Sequence, residues 1–266
     1  IKMELTNKTI RNFYKNGYIH IPDFFEYKTE IQPIQDNIAE IILLVARKHK
    51  IKIPSINKLD ILKEGFMNLV RINRKAGAEV YDAVKQIPEF LQLISLKKNQ
   101  EIFQLLRKNS MPGVAEGGYG IRIDIPGESK FEAPWHQEYP AQMRSIDGVV
   151  FWSPLLEIFK ELGPVHIAEK SHKYGIFDVT NKKNDDEKKG AYALRIVNEE
   201  CITKKYTCNA PLSKPGDLIL MDYLVLHKSG KNISKFPRWT MQWRVFNFLN
   251  KDGINSSWQN LFVHEK

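Results

Sequence analysis

Hydrophobic positions in the first half of the chain recur mainly with helical spacing. Ile38, Ile42 and Val45, for example, fall on one face of a helix. Near Gly17 the pattern changes to a brief alternation that is typical of a strand. The pattern therefore predicts helices over residues 6–18 and 28–50, two or three more within residues 60–109, and a strand over residues 18–22.

Beyond Pro112 the hydrophobic residues form short, alternating runs that are separated by turn residues. Such runs at this spacing are typical of a double-sheet barrel or jelly roll. The charged stretch at residues 181–190 is predicted to be a solvated loop. Strands are predicted over residues 117–125, 149–156, 164–168, 193–197, 217–226 and 239–248.

These patterns predict an α+β fold with a mainly β core. We expect one domain over residues 1–266, in which a helix-rich part, residues 1–111, packs against a jelly-roll core, residues 112–250.

The composition favours a soluble globular protein. Hydrophobic residues make up 42% of the 266 residues and charged residues 27%. No apolar run approaches the roughly 18 residues that a membrane span needs, and no secretory signal is recognisable, so we expect a cytoplasmic protein. Cys201 and Cys208 do not form a metal-type pair and suit a reducing compartment.

The net charge of +9 raises the question of a nucleic-acid partner. Most of the excess is lysine, spread through residues 48–63, 97–108 and 182–205 and interleaved with acids and asparagine. No strip of alternating aromatic and basic residues accompanies it. The charge therefore does not by itself indicate a nucleic-acid partner, and an anionic small-molecule substrate is compatible with it.

Two histidines and a carboxylate follow one another in an order that suits a ferrous ion. His136 and Glu138 are two residues apart, so in a strand both side chains would project from the same face. His227 follows the apolar run 220–226, which would place it at the end of a buried strand. Such a set leaves three coordination positions open, as a non-haem Fe(II) oxygenase requires, whereas a structural zinc site takes four protein ligands.

Arg238 strengthens this interpretation, because a histidine close to a carboxylate is common by chance. It lies eleven residues after His227 (238 − 227), across a turn and at the start of the next predicted strand. There its guanidinium could form a bidentate pair with a carboxylate held near the metal. The alternative is a surface charge on a strand.

Several further segments complete an ordered series of motifs between about residues 10 and 248. They are Phe13-Tyr14-Lys15-Asn16-Gly17-Tyr18 with Pro22-Asp23-Phe24-Phe25, Trp135-His136-Gln137-Glu138, Gly163-Pro164-Val165-His166-Ile167 running to Ser171-His172-Lys173-Tyr174-Gly175, and Gly216-Asp217-Leu218 followed by His227-Lys228-Ser229-Gly230-Lys231-Asn232 and Pro237-Arg238. Taken together, they resemble the phytanoyl-CoA dioxygenase-like Fe(II)/2-oxoglutarate oxygenases.

The resemblance implies a cupin-like double-stranded β-helix core, Fe(II) as cofactor and 2-oxoglutarate as cosubstrate. It also implies hydroxylation of a small molecule by O2, coupled to conversion of 2-oxoglutarate into succinate and CO2. By position, His136, Glu138 and His227 would ligate iron. Arg238 would bind the distal carboxylate of 2-oxoglutarate, with support from the hydroxyl group of Ser229.

Five more positions are assigned by the same resemblance. Trp152 would line the cosubstrate pocket, although a tryptophan of the hydrophobic core would look the same. Arg122 and Asp124 lie on the strand before the metal motif, where cosubstrate contacts are often found. Tyr139 and Gln142 could face the substrate, or be ordinary residues at a strand end.

Two positions depart from the family pattern. Glu138 stands where aspartate is usual, which moves the carboxylate by about one C–C bond, roughly 1.5 Å. Residues 168–170 replace a common Pro-Gly pair, which affects the local turn. His166 and His172 lie in this central segment, and we expect both to be structural or exposed.

Two other functions remain open from the sequence. One is a catalytically inactive jelly-roll protein that binds a ligand, which the glutamate at position 138 keeps open. The other is an oxygenase that acts on nucleic acid. Halogenation is disfavoured, because related halogenases lack the carboxylate ligand that Glu138 would supply.

Overall fold

The computed structural model describes residues 7–141, 145–181 and 194–250. Most of its helices precede residue 107. They are α1 (Asn7–Asn16), α2 (Gln32–Lys48), α3 (Lys58–Asp60), α4 (Phe66–Ile72), α5 (Arg74–Val84), α6 (Pro88–Ile94) and α7 (Lys97–Leu106), with α8 (Glu138–Ala141) and α9 (Glu199–Thr203) later in the chain. π-Helical turns at Tyr27–Ile31 and Ile61–Gly65 lead into α2 and α4, and 3₁₀ turns form at Ser129–Phe131, Lys160–Leu162 and Ser171–Tyr174.

The strands form antiparallel sheets. They are β1 (Tyr18–Ile21), β2 (Pro112–Val114), β3 (Gly120–Asp124), β4 (Val149–Pro154), β5 (His166–Ala168), β6 (Val179–Asn181), β7 (Leu194–Ile196), β8 (Cys208–Asn209), β9 (Leu218–Asp222), β10 (His227–Lys228) and β11 (Arg238–Asn247). The larger sheet has the order β1-β9-β4-β11-β2, with β3 also paired to β11. A smaller sheet has the order β10-β5-β8, and β6 pairs with β7.

The larger sheet presents one face to the helices. Successive side chains of a strand alternate between faces, so Trp239, Met241 and Trp243 of β11 all point into the main hydrophobic core. Helix residues such as Ile38 and Phe66 belong to the same core. The helical part and the sheet are therefore held together by a shared apolar interface.

Two buried hydrogen bonds connect the helical part to the sheet. The indole Nε1 of Trp239 donates to the carbonyl of Leu62 at 2.9 Å, and Gln35 Nε2 donates to the carbonyl of Leu155 at 2.6 Å. Buried polar groups are costly unless they are paired. These contacts therefore fix the register of the helices on the sheet as well as satisfying the donors.

The opposite face of the larger sheet looks toward the smaller sheet. Trp152 of β4 and Met221 of β9 pack there in a second apolar cluster with Ile167 of β5. Arg238 and Gln242 project from β11 on this same side and line a cavity. The candidate site thus lies on the face of the sheet that the helices do not cover.

The prediction of a helical first half and a strand-rich second half is confirmed, with differences in detail. The predicted strand 217–226 ends at Asp222, because the Asp222 carboxylate accepts a hydrogen bond from the amide of Leu224 at 2.8 Å and forms a turn. Residues 60–109 contain more helices than expected. One reason is that the Asn73 side chain accepts from the amides of Lys75 and Ala76 and starts α5.

Other predictions about the fold are untested. The double-stranded β-helix and the single domain over residues 1–266 stay predictions. The predicted loop at residues 181–190 lies, apart from Asn181, outside the described residues. Among the residues that are described, no helix combines the length and hydropathy needed to cross a membrane.

A close backbone contact supports the loop that precedes β11. The Cα of Gly230 packs against backbone atoms of Gly163 and Pro164, so that a Cβ at this position would overlap them. The carbonyl of Gly230 also accepts a hydrogen bond from Arg238 Nη1 at 3.1 Å. A side chain at position 230 would therefore disturb both the loop and the arginine.

We predict that Gly230→Ala lowers the free energy of unfolding by about 1–3 kcal/mol, the usual range for overpacking. Chemical denaturation followed by circular dichroism measures the change. Gly120→Ala is the matched control, since the nearest atom to its added Cβ lies at 3.9 Å. Equal stability of the Gly230→Ala and Gly120→Ala variants would contradict the close packing.

Candidate metal centre

An isolated antiparallel bridge brings His136 and His227 side by side. The amide of each residue donates to the carbonyl of the other at 3.0 Å. His227 belongs to β10, which is held in turn by its pairing with β5. The two imidazole rings are both buried, and their centroids lie 4.2 Å apart.

Glu138 reaches the same point by a different route from the one predicted. It begins the short helix α8 rather than continuing a strand, so the expectation that it shares a strand face with His136 is wrong. Its amide donates to the carbonyl of Tyr223 at 3.0 Å. Oε1 of Glu138 then lies 3.9 Å from Nε2 of His136 and 3.7 Å from Nε2 of His227.

The three side chains form a cluster in which the candidate ligand atoms all lie within 4.8 Å of one another. Nδ1 of His136 faces the carbonyl of Pro134 at 2.8 Å, and Nδ1 of His227 faces that of Val225 at 3.1 Å. A carbonyl can only accept, so each Nδ1 carries a proton, and in the neutral form of the ring it is Nε2 that offers a lone pair to a metal. Carbonyl partners of this kind orient metal-ligating histidines.

The charge state of the cluster also suits metal binding. Burial would raise the pKa of Glu138, but Arg244 and the two histidines outweigh that effect and hold the pKa well below its usual range. Burial and the neighbouring His227 lower the pKa of His136 to about 4. At neutral pH the cluster therefore offers an ionised carboxylate and a neutral His136 imidazole.

These residues fit a divalent cation. Oε2 of Glu138 is buried and has no hydrogen-bond donor in the described parts of the chain, a costly state that a cation would relieve. Two imidazoles and one carboxylate match the facial set of non-haem Fe(II) enzymes, which leaves positions open for other ligands. His136, Glu138 and His227 are thus the residues that would hold iron.

Gln137, between the two ligands of the motif, anchors the motif to its surroundings. Its Nε2 donates to the carbonyls of Gly175 and Leu224, both at 2.7 Å, and its Oε1 accepts from the amide of Phe177 at 2.9 Å. The side chain is buried, and these three bonds use most of its capacity. Gln137 therefore fixes the backbone from which His136 and Glu138 project.

Arg238 lies near the cluster, buried in a network of charges. Its Nη2 is 2.8 Å from Oδ2 of Asp124, and Arg122 Nη2 is 2.8 Å from Oδ1 of the same carboxylate. Burial would raise the pKa of Asp124, but the two arginines more than offset it and lower the pKa to about 2. Asp124 is therefore ionised at neutral pH and orients both guanidinium groups.

One cavity connects the two histidines with Arg238. Ser229 and Trp152, both predicted cosubstrate residues, line it, as do Arg122 and Gln242. The hydroxyl of Ser229 accepts from the amide of Ala133 at 3.1 Å, which ties β10 to the segment before His136. The structure thus brings the predicted metal residues and most of the predicted cosubstrate residues to a single place.

The structure gives little support for the two predicted substrate residues, Tyr139 and Gln142. Tyr139 is buried in the apolar cluster with Val150 and Trp152, and Gln142 lies outside the described residues. His172 is half-buried, and its Nε2 is 3.0 Å from the carbonyl of Tyr14, in line with the structural assignment. At the turn that lacks Pro-Gly, Lys170 adopts a positive φ of 69°, a conformation that glycine reaches more easily.

Three residues at the site were missed by the sequence reasoning: Gln137, Gln242 and Arg244. Gln242 and Arg244 lie four and six residues after Arg238 (242 − 238 and 244 − 238), on the same face of β11. The period-2 alternation of that strand was therefore a usable signal. Gln137 carried no such signal, because its partners are distant backbone carbonyls and amides.

Comparison with known proteins gives the family and the fold. The family model for phytanoyl-CoA dioxygenase (PhyH) matches residues 13–240. The iron-bound structure of EctD from S. alaskensis is similar with a TM-score of 0.59 and 16% identity, and the match covers 91% of this chain and 77% of that one.

Two further structures have the same fold. EctD from S. alaskensis with 2-oxoglutarate and 5-hydroxyectoine has a TM-score of 0.57 and 17% identity, covering 95% of this chain and 86% of that chain. The α-ketoglutarate-dependent carbocyclase SnoK from nogalamycin biosynthesis has a TM-score of 0.58 and 14% identity, covering 92% and 85%. Since the family model spans most of the sequence, this chain belongs to the phytanoyl-CoA dioxygenase family.

Proposed function

We propose that this protein is an Fe(II)- and 2-oxoglutarate-dependent dioxygenase that hydroxylates a small-molecule substrate. The observation that carries the proposal is the convergence of His136, Glu138 and His227 beside a cavity that Arg238 also lines. Membership of the family and the fold shared with iron- and 2-oxoglutarate-bound structures support it.

When bound, the iron and 2-oxoglutarate would supply the oxidative chemistry, with O2 as oxidant and succinate and CO2 as products. The protein's own part is to hold and orient these groups. His136, Glu138 and His227 would ligate the iron on one face. The guanidinium of Arg238 would pair with the distal carboxylate of 2-oxoglutarate, and Ser229 would add a hydrogen bond.

Asp124 prepares Arg238 for this task. It holds the guanidinium through contacts of 2.8 and 3.1 Å, while the carbonyl of Gly230 accepts from Nη1. The arginine is therefore oriented before the cosubstrate arrives, which reduces the entropy lost on binding. Arg122 balances the charge of Asp124, so that Arg238 can still attract a carboxylate.

A small molecule is the substrate class that the surroundings support best. A mostly apolar cavity of about 330 Å³ lies between α5 and β3 and is bordered by Arg122, which also lines the cavity at the metal centre. This volume is in the range of ligand pockets. The lining combines apolar and aromatic side chains with Arg74 and Arg122, and the volume suits a small molecule rather than an oligonucleotide.

The outcome of the reaction is the finer part of the proposal. A carbocyclase shares this fold, and fold does not determine which reaction follows. A product heavier than the substrate by one oxygen atom would identify hydroxylation, whereas cyclisation adds no oxygen. Mass spectrometry of the product would decide between them.

We predict that His136→Ala abolishes conversion of 2-oxoglutarate to succinate, because two remaining ligands hold Fe(II) poorly. Succinate release with Fe(II), O2 and a panel of metabolites measures this. His172→Ala is the matched control, since His172 lies outside the metal cluster and its Nε2 faces the backbone carbonyl of Tyr14. Full turnover by the His136→Ala protein would exclude the proposed function.

We predict that Arg238→Gln weakens 2-oxoglutarate binding about 10- to 100-fold, the usual consequence of losing a charge-assisted pair of about 1.5–3 kcal/mol. Isothermal titration with Fe(II) present under anaerobic conditions gives the dissociation constant. Arg71→Gln is the control, as Arg71 contacts Asn68 on the exposed surface. Unchanged affinity in the Arg238→Gln protein would remove Arg238 from the cosubstrate site.

The lowered pKa of Asp124 leads to a prediction about how the free energy of unfolding depends on pH. Its folded-state pKa of about 2 lies below the ordinary 3.8, so its stabilising effect is complete above pH 3.8 and is lost as the pH falls through about 2. At about 1.36 kcal/mol per pKa unit, Asp124→Asn should lower the free energy of unfolding at pH 7 by about 2 kcal/mol or more. The difference from the wild type should narrow between pH 4 and 2.

Denaturant titrations at several pH values measure this difference. Asp82→Asn is the control, because Asp82 forms an exposed ion pair with Lys85, and its pH profile should follow that of the wild type. A wild-type-like Asp124→Asn protein at pH 7 would show that the two arginines do not depend on this carboxylate.

A further inference from the structure

Arg244 is a buried cation that has no role in the proposed binding of 2-oxoglutarate. Its Nη2 donates to Oε1 of Glu138 at 2.6 Å, and its side chain is only 10% exposed. It projects from the middle of the larger sheet, where β11 pairs with β4 and Arg244 lies opposite Val150. The guanidinium is therefore held by a rigid strand directly beside the candidate metal ligand.

A cation at this position is unfavourable for metal binding by itself. Like charges repel strongly where water is excluded, so a guanidinium beside a divalent ion should weaken the ion's binding. Burying an arginine and a carboxylate together also costs desolvation energy. These two costs, repulsion of the ion and desolvation of the pair, must be offset by a gain in function. The carboxylate belongs to a glutamate, and this residue type indicates what the gain is.

Glutamate has one more methylene group and one more rotatable bond than aspartate. Its carboxylate can occupy more positions and loses more side-chain entropy when it is held in one of them. Arg244 removes this freedom by binding Oε1. Oε2 is left buried without a donor in the described residues, and both histidine Nε2 atoms lie within 4 Å of Oε1.

We propose that Arg244 is a positioning residue that fixes the longer side chain of Glu138 in its metal-ligating conformation, and that this ion pair is what allows a glutamate to serve as the carboxylate ligand here. The inference rests on the proposed function, because it requires the cluster to bind a metal. Arg244 acts through Glu138 and does not itself contact the ion or the cosubstrate.

A double-mutant cycle with Co(II) as the probe tests this directly. Four proteins are compared without O2 or cosubstrate: the wild type, Arg244→Gln, Glu138→Asp and the double variant. Titration calorimetry gives the Co(II) dissociation constant, and the visible Co(II) absorption reports on the ligand geometry. Both readouts are independent of turnover.

We expect Arg244→Gln to weaken Co(II) binding about 10- to 100-fold in the presence of Glu138, as is usual when the partner of a metal ligand is lost. In the Glu138→Asp protein, Arg244→Gln should have little effect on Co(II) affinity. The aspartate side chain is shorter, so its carboxylate lies roughly 1.5 Å further from the guanidinium. Arg244→Lys should restore part of the affinity, because it keeps one charged donor.

Arg107→Gln is the matched control. Arg107 forms an equally short pair, 2.6 Å from Asp222, and both side chains are similarly buried. Its loss should lower stability without changing Co(II) affinity. If the Arg244→Gln protein does not fold, the cycle is run with Arg244→Lys, which keeps the buried charge.

Two results would overturn the inference but not the proposed function. One is a Co(II) affinity of the Arg244→Gln protein that equals or exceeds that of the wild type. The other is that Arg244→Gln lowers the Co(II) affinity equally whether position 138 is Glu or Asp. The first would mean that charge repulsion dominates, and the second that Arg244 acts on the fold in general. Failure of the wild-type protein to bind Co(II) would instead overturn the proposed function, and the inference with it.

Discussion

The paired hydrogen bonds between the backbones of His136 and His227 are the contact on which the site depends. They join two segments that are 91 residues apart (227 − 136), with N–O distances of 3.0 Å in both directions. Because the bonds are between backbone atoms, the spacing of the rings is set by the fold and not by the side chains. Gln137 and the β5–β10 pairing hold the two segments in place.

Strand β11 joins this site to the rest of the molecule. Its odd-numbered residues from Trp239 to Val245 lie in the core shared with the helices, while Arg238, Gln242 and Arg244 face the site. One regular strand therefore provides the apolar anchor, the proposed cosubstrate arginine and the partner of Glu138. The buried charges on its polar face are tolerated because each is paired with a fixed carboxylate.

The sequence predicted what depends on residue type and periodicity. The order and spacing of the motifs pointed to the three candidate metal residues and Arg238, which the structure brings to one place. It did not predict the turn at Asp222, because the run after it is apolar and looks like a continuing strand. The sequence also led to the wrong prediction that Glu138 lies in a strand. The strand-like bridge at His136 is formed by contacts with a distant segment, which the local sequence does not show. Tertiary contacts of this kind leave no local pattern.

The central claim is that these side chains hold one ferrous ion to which 2-oxoglutarate can bind. An anaerobic titration of the protein with Fe(II) and 2-oxoglutarate, followed by visible absorption, tests it most directly. A weak charge-transfer band should appear only when both are present, and should be missing from a His227→Ala protein. If the wild-type protein shows no band, or if the band persists without His227, the account is wrong.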